Sequence, residues 1–292
     1  MINRELIRTK VVQLVYAYVQ NEDKSLDAAE KEFDFSLTKT YELYKFLLSL
    51  LVQVKRTADR REEARIARAE RLGINSDALL LDKYLAENKL LQKMAQNDVL
   101  LNYLSSEKQE WMEDDALIRN IYKSFTESSI YHEYIHKGDF SIKADRELIR
   151  RLYKEFLLEN ELLESTLEDH SIYWNDDKII VDQFVIKTLG VFNGESQPEM
   201  PLLPEFTSDE DRAFAYQLFR QTIERGEEML GHLRTNSLKW DFDRISLMDK
   251  VIIQTALTEI LTFLDIPLNV SINEYVEIAK LYSTPKSGAF VN

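Results

Sequence analysis

No proline occurs before Pro198, and the whole chain of 292 residues contains seven glycines and five prolines. Proline and glycine are the residues least compatible with a helix interior, so their scarcity favours long uninterrupted helices. Nothing breaks the first two thirds of the chain into the short, turn-rich segments of a β-protein. The sequence therefore predicts an all-α protein.

The composition excludes several classes of function. Cysteine is absent, which excludes disulfide and thiolate chemistry. The start, MINRELIRTK, has no apolar signal core, and the apolar run 46–54 is too short to span a membrane. We therefore expect a cytoplasmic protein without a membrane segment. The net charge of −14 argues against a surface that binds nucleic acid everywhere, because phosphate contacts need local cations. A small basic patch or a basic protein partner is expected instead.

The C-terminal stretch 244–292 contains the clearest pattern. From Ile245 to Phe263 the chain is apolar on almost every side, which predicts a helix at the centre of a bundle. Pro267 ends this helix. Ser271 and Glu274 have the spacing of a capping box, which predicts that a second helix begins there.

The same stretch resembles the NusB family of transcription antitermination factors. The residues that carry the resemblance are Trp240, Arg244, Asp249, Glu259, the run DIPLNVSINEYVEIAKLY (265–282) and the closing FVN (290–292). The resemblance is good over 209–292, weaker over 1–33 and absent between them. It implies two packed helical bundles, interrupted here by a large α-helical insertion. We expect a discontinuous NusB-like domain at 1–34 and 206–292, the insertion at 35–195 and a proline-rich linker at 196–205.

The resemblance also implies a function. NusB proteins pair with the ribosomal protein NusE and hold single-stranded boxA RNA, so that RNA polymerase resists termination. The resemblance implies a noncatalytic regulator without a cofactor, assembled into the antitermination complex. The sequence leaves a homodimer open. Family members continue beyond FVN into a further helix, so we expect that the chain is truncated or has lost that helix.

Family RNA contacts fall on the first helix and on the loop that leads into FVN. They correspond here to Arg4, Arg8, Lys10, Tyr282, Lys286, Ser287 and Phe290. The two aromatic residues could stack on unpaired bases, or pack in the core. For NusE, the family uses an acidic position early in the buried helix, which corresponds to Asp249, with Asp243 just before it.

Residues 4–20 predict an amphipathic helix with Arg4, Arg8 and Lys10 opposite the apolar stripe, on a face expected to be exposed. The family usually has more arginines in this segment, so ordinary solvation of the three cations is the alternative.

The most basic segment is 55–71, with seven basic and four acidic residues. It predicts an exposed helix held by pairs of opposite charge, with an auxiliary RNA contact as the alternative.

Two further patterns bear on organisation and chemistry. Residues 145–189 align without gaps on 211–255, including Trp174 with Trp240, which suggests a duplicated helical hairpin. The segment HEYIH at 132–136 matches the HExxH pattern of zinc peptidases, but Gly138 follows where such a helix should continue. There is no glycine-rich phosphate loop and no nucleophile motif. Two alternatives to the RNA-binding regulator stay open: a NusB-fold scaffold without RNA binding, and a zinc metallopeptidase.

Overall fold

The protein was analysed as a computed structural model that describes residues 1–21, 25–73, 81–106, 116–194, 200–236 and 241–291. These residues form α-helices and, apart from an isolated bridge between Ile2 and Phe206, no β-structure. The predicted all-α class is confirmed. Within the described ranges, no helix combines the length and apolar character that a membrane span requires.

The chain divides into two compact units: residues 1–38 with 204–292, here called the terminal unit, and residues 39–203, the middle unit. The boundary falls inside α2 (Leu26–Leu72). The other helices of the terminal unit are α1 (Arg4–Gln20), α11 (Asp209–Glu224), α12 (Gly226–Asn236), α13 (Leu247–Thr262), α14 (Leu268–Tyr282) and α15 (Ser287–Val291). Those of the middle unit are α3 (Leu81–Ala86), α4 (Lys89–Ala95), α5 (Asp98–Ser105), α6 (Ala116–Glu127), α7 (Ser129–Lys137), α8 (Ile142–Phe156), α9 (Glu161–His170) and α10 (Lys178–Val191).

In the terminal unit, α13 is the central helix, as its apolar sequence predicts. It packs against α1, α11, α12, α14 and α15. Ser246 begins it by accepting a hydrogen bond from the backbone N–H of Asp249. α13 ends at Thr262, five residues before Pro267, and α14 begins at Leu268 after a short turn.

The predicted capping box at the start of α14 is wrong. The helix begins at Leu268, one turn earlier, with Pro267 in the capping position. Ser271 therefore lies inside the helix and is buried, and its hydroxyl donates to Glu259 Oε1 at 2.6 Å. The Ser271 side chain satisfies a buried carboxylate instead of a helix end.

The sequence pattern predicts separate helices at 26–33 and 37–72, and two or three helices in 77–136. The structure differs at both places. Residues 26–72 form one continuous helix, α2, and five described helices begin in 77–136, because two asparagines act as N-caps inside an apolar run. Asn88 accepts from the backbone of Leu91, and Asn97 accepts from that of Leu100.

The helices of 142–191 recur in 209–262 in the same order and at nearly the same offset. Trp174 is buried beside Phe46, and its indole N–H donates to the carbonyl of Lys39 at 2.9 Å. Trp240, its counterpart, lies outside the described residues, as do 196–199 of the expected linker and Asn292 of FVN. The duplication and the domain limits stay predictions.

Candidate functional site

The loop between α14 and α15 is fastened to the start of α13 by a cluster of hydroxyl groups. Ser287 Oγ donates to Asp249 Oδ2 at 3.0 Å and accepts from the backbone N–H of Thr284 at 3.1 Å. Ser283 Oγ lies 3.1 Å from Ser287 Oγ and 3.4 Å from Ser246 Oγ. The predicted loop is partly helical: Lys286 lies between the two helices, whereas Ser287 and Phe290 lie on α15. Both parts are held against the predicted partner-binding acid.

Asp249 is the buried acceptor of this cluster. Its residue is 6% exposed, and among the described residues its second oxygen, Oδ1, has no hydrogen-bond partner. A buried carboxylate oxygen without a hydrogen-bond donor loses its hydration uncompensated, so Asp249 is held in place at a cost in stability.

A cavity of about 830 Å³ opens at this position. It is lined by Asp241, Arg244, Ile245, Ser246, Asp249, Thr284, Pro285, Lys286, Ser287, Ala289 and Phe290. Lys286 and Arg244 are exposed, whereas Phe290 is half-buried. The cavity therefore combines two rim cations with an aromatic ring and a buried acceptor, and one of the cations, Arg244, lies 3.4 Å from the carboxylate of Asp241. Such groups can hold a phosphate, a base and a basic side chain.

The structure brings four of the predicted residues to this cavity and leaves the others elsewhere. Lys286, Ser287, Phe290 and Asp249 line it. Ser287 is buried and bound to Asp249, so it positions the loop. Asp243, on the 3-10 turn Phe242–Arg244, is exposed, and half-buried Tyr282 ends α14; neither lines the cavity.

The expectation of an exposed cationic face on α1 is wrong for Arg8 and Lys10. They are 3% and 2% exposed. Arg8 is held by a bidentate ion pair, Nε to Glu259 Oε2 at 2.8 Å and Nη2 to Glu259 Oε1 at 2.9 Å. Arg4 is only partly exposed and pairs with Asp211 at 3.0 Å, over the ring of Phe214. The physical reason is that α1 is packed by α11, α13 and α14, which leaves little of its surface to solvent.

The Arg8–Glu259 pair is the centre of a larger buried network. Ser271 and Tyr275 donate hydroxyl hydrogen bonds to Glu259, and Glu274 lies 3.4 Å from Arg8. Burial opposes the charge of Arg8, but the hydrogen bond and the charge of Glu259 outweigh it, so the Arg8 pKa is raised. Burial raises the pKa of Glu274 and of Tyr275. The network joins α1, α13 and α14 through charge-assisted hydrogen bonds.

Sequence reasoning missed Glu259, Arg244 and Ser246 as parts of this region. Glu259 had a signal: beyond the first turn of α13 it is the helix's one carboxylate, and a buried acid requires a partner. Arg244 lies just before the same helix, at a position that the resemblance matched without a role.

The HEYIH segment lies on α7, which ends at Gly138 with φ of +66°. His132 and His136 are exposed. Glu133 is bound by Lys137 at 2.8 Å and Arg151 at 3.2 Å, and these hydrogen bonds lower its pKa. Within the part of the chain that the structure describes, no three side chains of His, Cys, Asp or Glu gather closely enough to hold a metal ion.

Comparison with known proteins assigns the C-terminal region. Residues 195–292 match the NusB family. That region, which contains the whole cavity, is a NusB family domain, and the resemblance seen in the sequence is confirmed.

Several curated relatives named transcription antitermination protein NusB are similar to the same part of the chain. The protein of Salinibacter ruber is 39% identical over 103 residues, 34% of this chain and 64% of its own length. That of Thermodesulfovibrio yellowstonii is 43% identical over 81 residues, 28% of this chain and 54% of its own. That of Chloroherpeton thalassium is 37% identical over 79 residues, 27% and 37% of the two chains. The chain thus spans less than two thirds of each of these relatives. No solved structure matches it.

Proposed function

We propose that this protein is a noncatalytic regulator of transcription antitermination, which binds single-stranded boxA-type RNA together with NusE. The observation that carries the proposal is the cavity in the NusB region, where Lys286 and Phe290 lie beside the buried, half-satisfied carboxylate of Asp249. The names of its relatives support the same role.

In this proposal the RNA contacts are made by side chains that solvent reaches. Lys286 and Arg244 pair with phosphates, and Phe290 offers a ring on which an unpaired base stacks. Tyr282 and Arg4, both partly exposed, extend the surface. Arg8, Lys10 and Ser287 act through position: they are buried and hold α1 and the loop in place.

The protein partner is proposed to use the carboxylates. A lysine or arginine of NusE, a basic protein, would pair with the carboxylate of Asp249 where this residue lines the cavity, and the exposed Asp243 would add attraction over a longer range. In this way NusE and RNA would meet at one cavity, within the RNA polymerase antitermination complex.

A band-shift assay with boxA RNA, alone and with NusE, tests the proposal. Lys286→Glu should weaken RNA binding about tenfold and make its salt dependence shallower by about 0.7 in the log–log slope. Lys31→Glu, which changes an exposed lysine of α2 by the same charge, should leave the affinity unchanged. No shift with either RNA alone or RNA plus NusE would disprove RNA binding.

The second candidate is a NusB-fold scaffold that binds protein partners without RNA. The burial of Arg8 and Lys10 favours it, because of the three α1 cations only Arg4 remains partly exposed. The same experiment separates the two. A scaffold would capture NusE, lose it after Asp249→Asn, and show no RNA shift with or without Lys286.

A further inference from the structure

The basic part of α2 has two chemically different sides. Lys55, Arg61 and Arg65 are paired with Asp59, Asp82 and Glu62, at 2.6, 3.2 and 2.6 Å. Four other arginines form no ion pair among the described residues: Arg56, Arg60, Arg68 and Arg71. We call these four the α2 arginine stripe.

Helix geometry places the stripe on one face. At about 100° per residue, its four members fall within about 120° of the helix circumference, and the paired cations fall outside that sector. Arg60, Arg68 and Arg71 are exposed and Arg56 is half-buried. The 15 residue steps from Arg56 to Arg71 rise about 22 Å, so the stripe is a line of cations and not a single point.

The surroundings leave the stripe accessible. Arg56 and Arg60 line a groove of about 410 Å³ together with Gln53 and Asp59, and that aspartate is already engaged by Lys55. Glu63 and Glu70 flank the stripe, but among the described residues neither lies within ion-pair distance of it. A free cationic line is unusual in a protein of net charge −14.

We propose that the α2 arginine stripe is a second RNA-binding surface, which contacts the phosphate backbone without regard to sequence. The choice of RNA as the polyanion rests on the proposed function of the NusB region. The stripe belongs to the middle unit, outside the part of the chain that matches the NusB family. It would give the protein affinity for transcript beyond the boxA element.

The composition of the stripe favours a nucleic-acid backbone over an acidic protein. Between Lys55 and Leu72 there is no aromatic residue, and the positions between the stripe arginines include Ala64 and Ala67. Protein interfaces need a buried apolar or aromatic core, whereas phosphate contacts need only repeated cations. Without aromatic rings no base is stacked, so sequence preference should be absent.

The test uses the full chain and a labelled 20-nucleotide oligouridine without boxA, at 50 and 200 mM salt. Arg56→Gln/Arg60→Gln should bind at least about fivefold more weakly at 50 mM salt, with a log–log salt slope shallower by about 1.4, because two phosphate contacts are lost. The matched control is Arg150→Gln/Arg151→Gln, a half-buried and an exposed arginine of α8 that are paired with Glu147 and Glu133. It removes the same charge. Circular dichroism and urea unfolding verify that both variants are folded.

Each outcome decides the proposal. An effect confined to the stripe variant supports it, and equal effects of the two variants overturn it. Unchanged oligouridine binding together with lost binding of polyglutamate assigns the stripe to acidic proteins and also overturns it. A separate measurement compares the affinity for boxA RNA with that for oligouridine, in the wild type and in Lys286→Glu. A preference for boxA RNA reports on the proposed function alone. If that preference is missing while the stripe variant still loses affinity, the proposed function fails and the second surface stands.

Discussion

Arg8 of α1 and Glu259 of α13 are 251 residues apart in the chain and form a bidentate ion pair inside the terminal unit. Their side chains are 4% and 0% exposed. Ser271 and Tyr275 complete the hydrogen bonding of the carboxylate. A buried charge pair is tolerated when its remaining lone pairs are satisfied, and this one meets that condition.

Arg8→Met should therefore destabilise the protein severely, because it leaves Glu259 as an uncompensated buried charge. The expected loss is about 3–5 kcal/mol in the free energy of unfolding, measured by urea denaturation. Arg4→Gln is the control. It breaks the Arg4–Asp211 pair, whose arginine side chain is 36% exposed, and should cost less than about 1 kcal/mol. Similar small losses for both variants would contradict a structural role for Arg8.

Ser287→Ala should loosen the loop between α14 and α15. The substitution removes the donor to Asp249 Oδ2 and the acceptor for the Thr284 N–H, at a cost of about 1–3 kcal/mol for buried groups left unpaired. Hydrogen exchange of the Thr284 amide should accelerate accordingly. The exposed Ser105→Ala, on α5, should leave that exchange rate unchanged. Slow exchange retained in Ser287→Ala would show that the hydroxyl cluster does not hold the loop.

Local patterns in the sequence predicted the elements that depend on local physics. The amphipathic period of 4–20 and the apolar run after Ile245 correspond to α1 and α13. Lys286, Ser287 and Phe290 were predicted as neighbours because they lie within five residues of one another, although the last two lie on α15 and not in a loop. That the loop closes over Asp249 required the packing of α14 and α15 on α13.

The errors at Arg8 and Ser271 share a cause, which is long-range pairing. A cation on an amphipathic helix is normally solvated, and no local period shows that Arg8 meets Glu259 across the fold. Ser271 likewise has the spacing of a cap, but a buried carboxylate recruits its hydroxyl and Pro267 starts the helix a turn earlier. Local helix propensity does not predict which polar side chains bind a partner that is distant in the sequence.

Glu133→Gln should leave the function of the protein unchanged, because Glu133 is an exposed partner of Lys137 and Arg151. We expect no zinc in stoichiometric amount after dialysis, measured by elemental analysis, in the wild type or in His132→Ala. One zinc per chain in the wild type, lost in His132→Ala, would restore the metallopeptidase hypothesis.

Asp182 of α10 offers a test of burial against charge. Lys178 Nζ donates to Asp182 Oδ2 at 2.9 Å, and the Tyr153 hydroxyl donates to Oδ1 at 2.6 Å. Both partners favour the ionised carboxylate, and yet burial outweighs them, so the pKa of Asp182 is raised above its usual value of 3.8.

The sign of the pH dependence follows from this shift. Between 3.8 and the raised pKa, the folded state keeps the Asp182 proton that the unfolded state has lost, so the contribution of Asp182 to the free energy of unfolding falls as pH rises. The stability of the wild type minus that of Asp182→Asn should therefore decrease from pH 3 upward and then level off. The same difference for Glu133→Gln should increase with pH, because the Glu133 pKa is lowered. Urea unfolding at several pH values measures both, and a difference for Asp182 that increases with pH would show that attraction to Lys178 outweighs burial.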